Sequence, residues 1–449
     1  MIRAMLHFPQ GFLWGSATSS HQVEGGNSAN DWWAWEHEPD RILHGHQSGE
    51  ACQWWAGRWE EDLDRAVDGH QNAHRLSIEW SRIEPHPALW DEEAIDAYRT
   101  ILQGMRSRGL TPMVTLHHFT NPLWLAEQGG WANPKVIGWF ERFTRKVVGA
   151  LQDLVELWIT INEPNVYIYS AYVEGVFPPG ERDLRLAWKV ARNMVRAHAA
   201  ACGAIHELSA AARVGVAHHF RDFSPRRPGN PLDHGLAAFR HSTFNELFPR
   251  ALREGRLRFL HWREQVPEAR GTQDFFGLNY YTRERVGLDP WRPGDILRPG
   301  DYPEQADVSP TGFIANEPEG FWEALRWAHR QDLPIYITEN GVEDPSDQIR
   351  SRYLVCHLRE LWKAANYNWR IWGYFHWSLV DNFEWERGWT QRFGLWGLER
   401  ETQRRVKRPA ADLYAEICQA NGLSSESVSR YAPEILDALF PPGPPTILE

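Results

Sequence analysis

Two glutamates stand in nearly the same setting. The stretches Trp158-Ile159-Thr160-Ile161-Asn162-Glu163-Pro164 and Ile335-Tyr336-Ile337-Thr338-Glu339-Asn340-Gly341 are each a β-branched run ending in an isolated Glu, with a strand breaker close behind. A carboxyl at the mouth of a buried strand is hard to solvate. One such Glu needs only a structural Arg or backbone N–H groups to satisfy it. Two of them can do chemistry together: one carboxylic acid protonates a leaving glycosidic oxygen, and one carboxylate meets the positive charge growing at the anomeric carbon. If the carboxyls lie about 5–5.5 Å apart, the second attacks directly and the sugar's configuration is retained.

Such a pair needs a scaffold that brings both strand ends to one mouth. Strand-like runs at 12–17, 73–78, 112–116, 157–161, 213–217, 274–278, 334–338 and 370–375 alternate with helical patterns. Ile95, Tyr98, Leu102 and Met105 form one apolar stripe, which Gly109 ends before Pro112 opens the next run. Val136, Phe140, Phe143, Val147, Leu151 and Leu154 form a second stripe, and Leu354, Leu358 and Leu361 a third. Polar or aromatic clusters follow the strand runs throughout: Gln22, His118, Asn162-Glu163, Asn279 to Tyr281, Glu339 and Trp377. An open sheet gathers its site from two or three strands, whereas a barrel collects it from many. The expected fold is therefore α/β, a (β/α)8 TIM barrel in a single domain with long βα loops. It spans residues 1–422, with 423–449 as a Ser/Pro-rich surface tail. In the closed barrel Glu163 and Glu339 end the fourth and seventh runs and face the same mouth.

Composition narrows the classes further. The chain has 449 residues and a formal net charge of −11, with no basic concentration of the kind nucleic-acid binders carry. No apolar run approaches the ~18 residues of a membrane span, and the N-terminus lacks a secretory core, so a cytoplasmic protein is expected. The four cysteines lie far apart, in no zinc-binding spacing. Tryptophan is frequent, at 25 residues; its flat face packs in a core or against the C–H face of a sugar ring.

The motifs then align with a known family. The opening Phe8-Pro9-Gln10-Gly11-Phe12-Leu13-Trp14-Gly15, continuing to His21-Gln22-Val23-Glu24-Gly25, comes first. Arg75-Leu76-Ser77-Ile78-Glu79-Trp80-Ser81-Arg82 and Thr115-Leu116-His117-His118-Phe119 follow. Next are the two glutamate segments, and last Trp377-Ser378-Leu379-Val380-Asp381-Asn382-Phe383-Glu384-Trp385 with Arg392-Phe393-Gly394-Leu395. From residue 8 to about 421 the chain resembles glycoside hydrolase family 1, the retaining β-glycosidases typified by β-glucosidase. The resemblance implies Glu163 as general acid/base and Glu339 as nucleophile. Asn162 would hold the sugar 2-hydroxyl, and Arg75 and Tyr281 would keep Glu339 ionised. Gln22, His118, Glu384 and Trp385 would bind hydroxyls, and Trp377 would lie under the ring. Asn279 and Phe393 belong to the same pocket. The implied substrate is a neutral β-glycoside or short oligosaccharide, cleaved at its terminal non-reducing β-D-glucosyl residue without cofactor or metal. Galactosyl and fucosyl substrates, transfer to alcohols and the oligomeric state stay open.

Two departures from the family pattern stand out. Phe119 sits where many members carry Trp, and Leu398-Glu399-Arg400-Glu401 replaces a Val-Asp pair. The loops at 177–182, 225–231 and 288–313, which would set leaving-group preference, match no pattern. Two rival readings remain: a metal-dependent barrel hydrolase and a sugar-binding protein without catalysis. The pairs His117-His118 and His218-His219 each offer only one inward ligand if their strands continue, and His44-Gly45-His46 follows no strand.

Overall fold

The computed structural model describes residues 4–289, 291 and 300–441. Eight strands close into a barrel: β1 (Leu13–Ala17), β2 (Ala73–Ser77), β3 (Thr111–His117), β4 (Leu157–Asn162), β5 (Arg213–Pro225), β6 (Phe275–Val286), β7 (Ile335–Asn340) and β8 (Ile371–His376). Each strand pairs in parallel with the next, and β8 returns to β1. The strand starts agree with the sequence expectation to within one residue. The ends of β5 and β6 lie far beyond it, for these two strands run on together as far as the Pro225–Val286 pair.

The expected stripes become helices on the barrel's outside. Glu92–Ser107 buries Ile95, Tyr98, Leu102 and Met105, and the Asp91 carboxylate caps its start by accepting from the Ala94 N–H at 2.9 Å. Gly109, at φ +77°, makes the turn just beyond its end. The second stripe is Val136–Leu151, which leaves Leu154 in the turn that follows. The third lies on Arg350–Asn366.

Alternation along β6 separates the two layers of the barrel. Phe275 points inward to a plug that includes Ala73, Met113, Leu157, Ile159, Tyr336 and Phe375. Phe276, Leu278 and Tyr280 point outward, packing with Phe321 and Leu325 of the helix Pro318–His329. Asn279 and Tyr281 share the inward face, above the plug. The barrel centre is therefore apolar at the bottom and polar at the top, where the site forms.

Strict alternation would turn Glu339 and Asn162 the wrong way. On β7 Tyr336 is in the interior plug and Ile335 and Ile337 are in the outer layer, so Glu339 should also face out. The pairing of β7 slips after Ile337 against both neighbours, and this irregularity turns Glu339 inward. A similar slip against β5 between Ile159 and Asn162 brings Asn162 inward.

Residues 423–440, expected as a surface tail, have structure. Gly422–Ser424 pairs antiparallel with Met5–His7. Ser425–Tyr431 is a helix, and Leu423, Val428 and Ala432 are buried. The Pro-rich stretch from 442 on lies outside the described residues.

Candidate active site

Arg75 organises the barrel's upper interior. It extends from β2 into the space above the plug, 1% exposed. Its Nε donates to Thr115 Oγ1 at 3.1 Å, Nη1 to the Thr338 carbonyl at 3.0 Å and to Glu339 Oε1 at 2.6 Å, and Nη2 to Asn162 Oδ1 at 2.6 Å. An ion pair this buried depends on its accompanying hydrogen bonds, and removing one partner costs about 3–5 kcal/mol. The exposed pairs of this chain, such as Arg41–Glu38, are worth about 1 kcal/mol or less.

This contact also fixes the orientation of the neighbouring groups. Because Asn162 Oδ1 accepts from Arg75, Asn162 Nδ2 must be the atom 3.1 Å from His118 Nε2. An amide nitrogen only donates, so His118 Nε2 accepts and its ring hydrogen lies on Nδ1. Burial, with Arg75 and His117 adding to it, holds His118 far below the usual histidine range, so the ring is neutral. Asn279 accepts from Thr338 Oγ1 at 2.6 Å, then donates to Glu163 Oε1 at 2.9 Å and Asn162 Oδ1 at 3.2 Å. Tyr281 donates its phenol to Glu339 Oε2 at 2.6 Å. A continuous chain of hydrogen bonds thus runs from Glu163 through Asn279, Asn162 and Arg75 to Glu339.

Glu163 occupies a strained backbone position. It lies just past the end of β4 with φ +43° and ψ 56°, between its N–H bond to the Ala217 carbonyl and Pro164 at the start of the helix Pro164–Tyr172. Phe119 and Trp385 also have positive φ, at 73° and 48°. A left-handed non-glycine residue costs on the order of 1–3 kcal/mol and persists only where its surroundings hold it. All three line one cavity of about 330 Å³.

Eight of the residues named from sequence line that cavity: His118, Glu163, Tyr281, Glu339, Trp377, Glu384, Trp385 and Phe393. Arg75, Asn162 and Asn279 sit one layer beneath it. Gln22 supports the opposite wall, donating to the Phe383 carbonyl at 2.7 Å and to Glu384 Oε2 at 3.1 Å. Trp377 and Trp385 each lie about parallel to the His118 ring, with centroids 6.0 Å away. Phe119 packs edge-on against Trp385. Leu398 and Glu399 belong to the hairpin of Trp396–Glu399 with Arg404–Lys407, where Glu399 pairs with Arg404. Of the unmatched loops, Phe177, Gly300, Tyr302, Gly312 and Phe313 reach the cavity; positions 290 and 292–299 lie outside the described residues.

The two catalytic candidates titrate as a pair, in steps that belong to both. Burial pushes Glu339 up; Arg75 pulls it down, the Glu163 charge pushes it up again and Tyr281 pulls it down, leaving it at about 7. Burial also pushes Glu163 up, but His219 overcomes this, with help from Asn279 and Arg75, and holds it below the usual carboxylate value. The pair therefore keeps one proton up to about neutral pH. In the free protein the downward shift of Glu163 runs against its holding the acid's proton, the role the resemblance implies. The cause is His219, whose Nδ1 lies 2.7 Å from Glu163 Oε1. Burial raises Glu384 far above its ordinary value, and Glu386, Glu339 and Glu163 add to the effect. Carboxyl oxygens on this wall can accept hydroxyl hydrogens.

The sequence reading missed the rim of the cavity. His219, Arg221, Glu284, Glu174, Glu386 and Arg387 all line it. The missed signal is the continued alternation of β5: Ala217 faces the interior, so His219 and Arg221 follow on that face. His218 turns the other way, against Gln273 and Phe276. His117 likewise turns from the cavity to Asn121 and Trp131. Among the described residues, no three His, Cys, Asp or Glu side chains are grouped to hold a metal, and no helix is long and apolar enough to cross a membrane.

Comparison with known proteins agrees with this geometry. Residues 5–423 match the model of glycosyl hydrolase family 1. β-Glucosidase A of Thermotoga maritima is 32% identical over 93% of this chain and 98% of its own length. A β-galactosidase of Sulfolobus acidocaldarius is 32% identical over 94% and 97%. The solved β-glycosidase of Pyrococcus horikoshii superimposes with a TM-score of 0.89 at 34% identity, covering 95% of this chain and 98% of that one. With its closed parallel barrel and its two buried glutamates at one mouth, the chain belongs to glycosyl hydrolase family 1 and is a β-glycosidase.

Proposed function

We propose that this protein removes terminal, non-reducing β-D-glucosyl residues from small neutral glycosides, through a covalent glycosyl-enzyme intermediate. In the first step a Glu339 oxygen bonds to the anomeric carbon as the bond to the leaving oxygen breaks, and Glu163 gives that oxygen its proton. In the second, water attacks the same carbon, Glu163 takes the water's proton, and the electron pair of the broken ester returns to Glu339. The proton must sit on Glu163 for the first step, and a leaving oxygen beside Glu163 draws it there from the shared pair. Asn162 would bind the 2-hydroxyl, and His118, Gln22, Glu384 and Trp385 the remaining hydroxyls, with Trp377 beneath the ring and Asn279 and Phe393 completing the wall. Arg75 and Tyr281 would stabilise the Glu339 carboxylate as it leaves.

The observation that carries this reading is the unbroken hydrogen-bond chain joining Glu163 to Glu339 beneath a single cavity. The barrel with its loops would act as one catalytic domain. A reducing, cytoplasmic setting fits its four unpaired cysteines. The neighbouring β-glucosidase and β-galactosidase support glucose and galactose as the sugars to compare first. Proton NMR of the sugar released from p-nitrophenyl β-D-glucoside tests the proposal. The β-anomer should appear first; the α-anomer appearing first would overturn the double displacement.

A further inference from the structure

We propose that His219 is a positioning residue that keeps Glu163 ionised as the base of the second half-reaction. This rests on the roles proposed above for Glu163 and Glu339. The Arg221 guanidinium pairs with Glu284 Oε1 at 3.0 Å and directs its Nε–H to His219 Nε2 at 3.5 Å. Arg only donates, so Nε2 must accept, and the ring's single hydrogen lies on Nδ1. That Nδ1–H points at Glu163 Oε1 from 2.7 Å. His219 thus presents an N–H donor of fixed orientation to the carboxylate form of Glu163.

The contact divides the work between the two oxygens of Glu163. Oε1 takes two N–H donors, from His219 and from Asn279 at 2.9 Å. Among the described residues Oε2 takes no protein hydrogen bond, so it is the oxygen free to exchange a proton with the leaving group and with water. The His219 ring is held in place by Tyr281, nearly parallel at 5.8 Å, and by Phe244, edge-on at 6.0 Å.

The other groups around Glu163 do not replace this role. Arg75 on β2 is committed to Glu339 and Asn162. Tyr281 on β6 donates to Glu339. Glu339 on β7 and Glu384 after β8 are acidic and disfavour a second negative charge. His118 on β3 is neutral and bonded to Asn162. Arg221 and Glu284 act on Glu163 through His219 and through their field. Once Glu339 is esterified its negative charge is gone, and the donors on Oε1 set the pH at which Glu163 becomes a base.

The test uses 2,4-dinitrophenyl β-D-glucoside, whose leaving group needs no proton, so that the second step limits kcat. His219→Leu should move the acidic limb of the kcat–pH profile up by about one unit, lowering kcat at the acid end about tenfold. His219→Asn, which places an amide N–H where Nδ1 stood, should restore most of the wild-type profile. An unmoved limb in the Leu variant, or an Asn variant matching the Leu variant, would overturn the inference and leave His219 a packing role. Glu163→Ala checks the reading beneath it: azide should restore turnover and give the β-glycosyl azide. Without that rescue the assignment of Glu163 falls, and the role of His219 falls with it.

Discussion

At the scale of single residues, Tyr281 makes the most informative substitution. Its phenol gives the Glu339 carboxylate a hydrogen bond at 2.6 Å, and bonds to charged groups contribute about 1.5–3 kcal/mol. Tyr281→Phe should therefore lower kcat/KM for glucosides about 10- to 100-fold with little change in melting temperature. A variant with unchanged kcat/KM would mean that Glu339 is not the group carrying charge in the transition state. The sequence made these residues legible because their chemistry is local: an isolated Glu after a β-branched run needs no structure to be noticed. The proton's position was not legible. It depends on His219, which is 56 residues from Glu163 in the chain and reaches it only because β4 and β5 are neighbours.

At the scale of elements, the strands were readable and their irregularities were not. Apolar runs gave every strand start, but the register slips after Ile337 and Ile159, which turn Glu339 and Asn162 inward, leave no mark in hydrophobic periodicity. The ends of β5 and β6 were missed for a related reason. Beyond the barrel mouth their faces carry polar and charged side chains, so the apolar signal stops while the pairing continues. Gly341 shows how tightly this mouth is built. A Cβ there would meet the Trp377 carbonyl oxygen at 2.0 Å, which no rotamer relieves. Gly341→Ala should push β7 and the loop after β8 apart, with a fall in melting temperature and at least a tenfold loss of kcat/KM. Wild-type values for both would show that the mouth has more slack than this packing allows.

For the whole molecule, the burial of neutral histidines weakens the fold as pH falls. Burial lowers His74, His117, His218 and His376 to about 3 and His198 to about 4. In the unfolded chain these rings take up protons below about 6.5. Their contribution is thus fully present above pH 6.5 and is lost as pH falls, by about 1.4 kcal/mol per ring per pH unit. Thermal unfolding should show a steep fall in melting temperature between pH 7 and pH 5; a flat profile would mean these rings are not buried as neutral groups. The chain's end contributes to stability too. Leu423 and Val428 are fully buried, and each such side chain stabilises by about 1.5–3 kcal/mol. A chain ended after Asn421 should melt several degrees lower while the folded fraction keeps its KM. A lower KM-normalised activity would place this segment closer to the chemistry than the structure does. The Ser-rich composition after Gly422 read as a tail because a short strand and short helices bury too few side chains to register as a pattern.

The central claim is that Glu339 forms the covalent bond and Glu163 moves the proton. The most direct measurement is to inactivate the enzyme with a 2-deoxy-2-fluoro-β-D-glucoside bearing an activated leaving group, then map the label by mass spectrometry of a proteolytic digest. The account predicts one fluoroglucosyl group per chain, on the peptide containing Thr338-Glu339-Asn340. A label on any other carboxyl, or complete turnover with no label at any concentration, would contradict it.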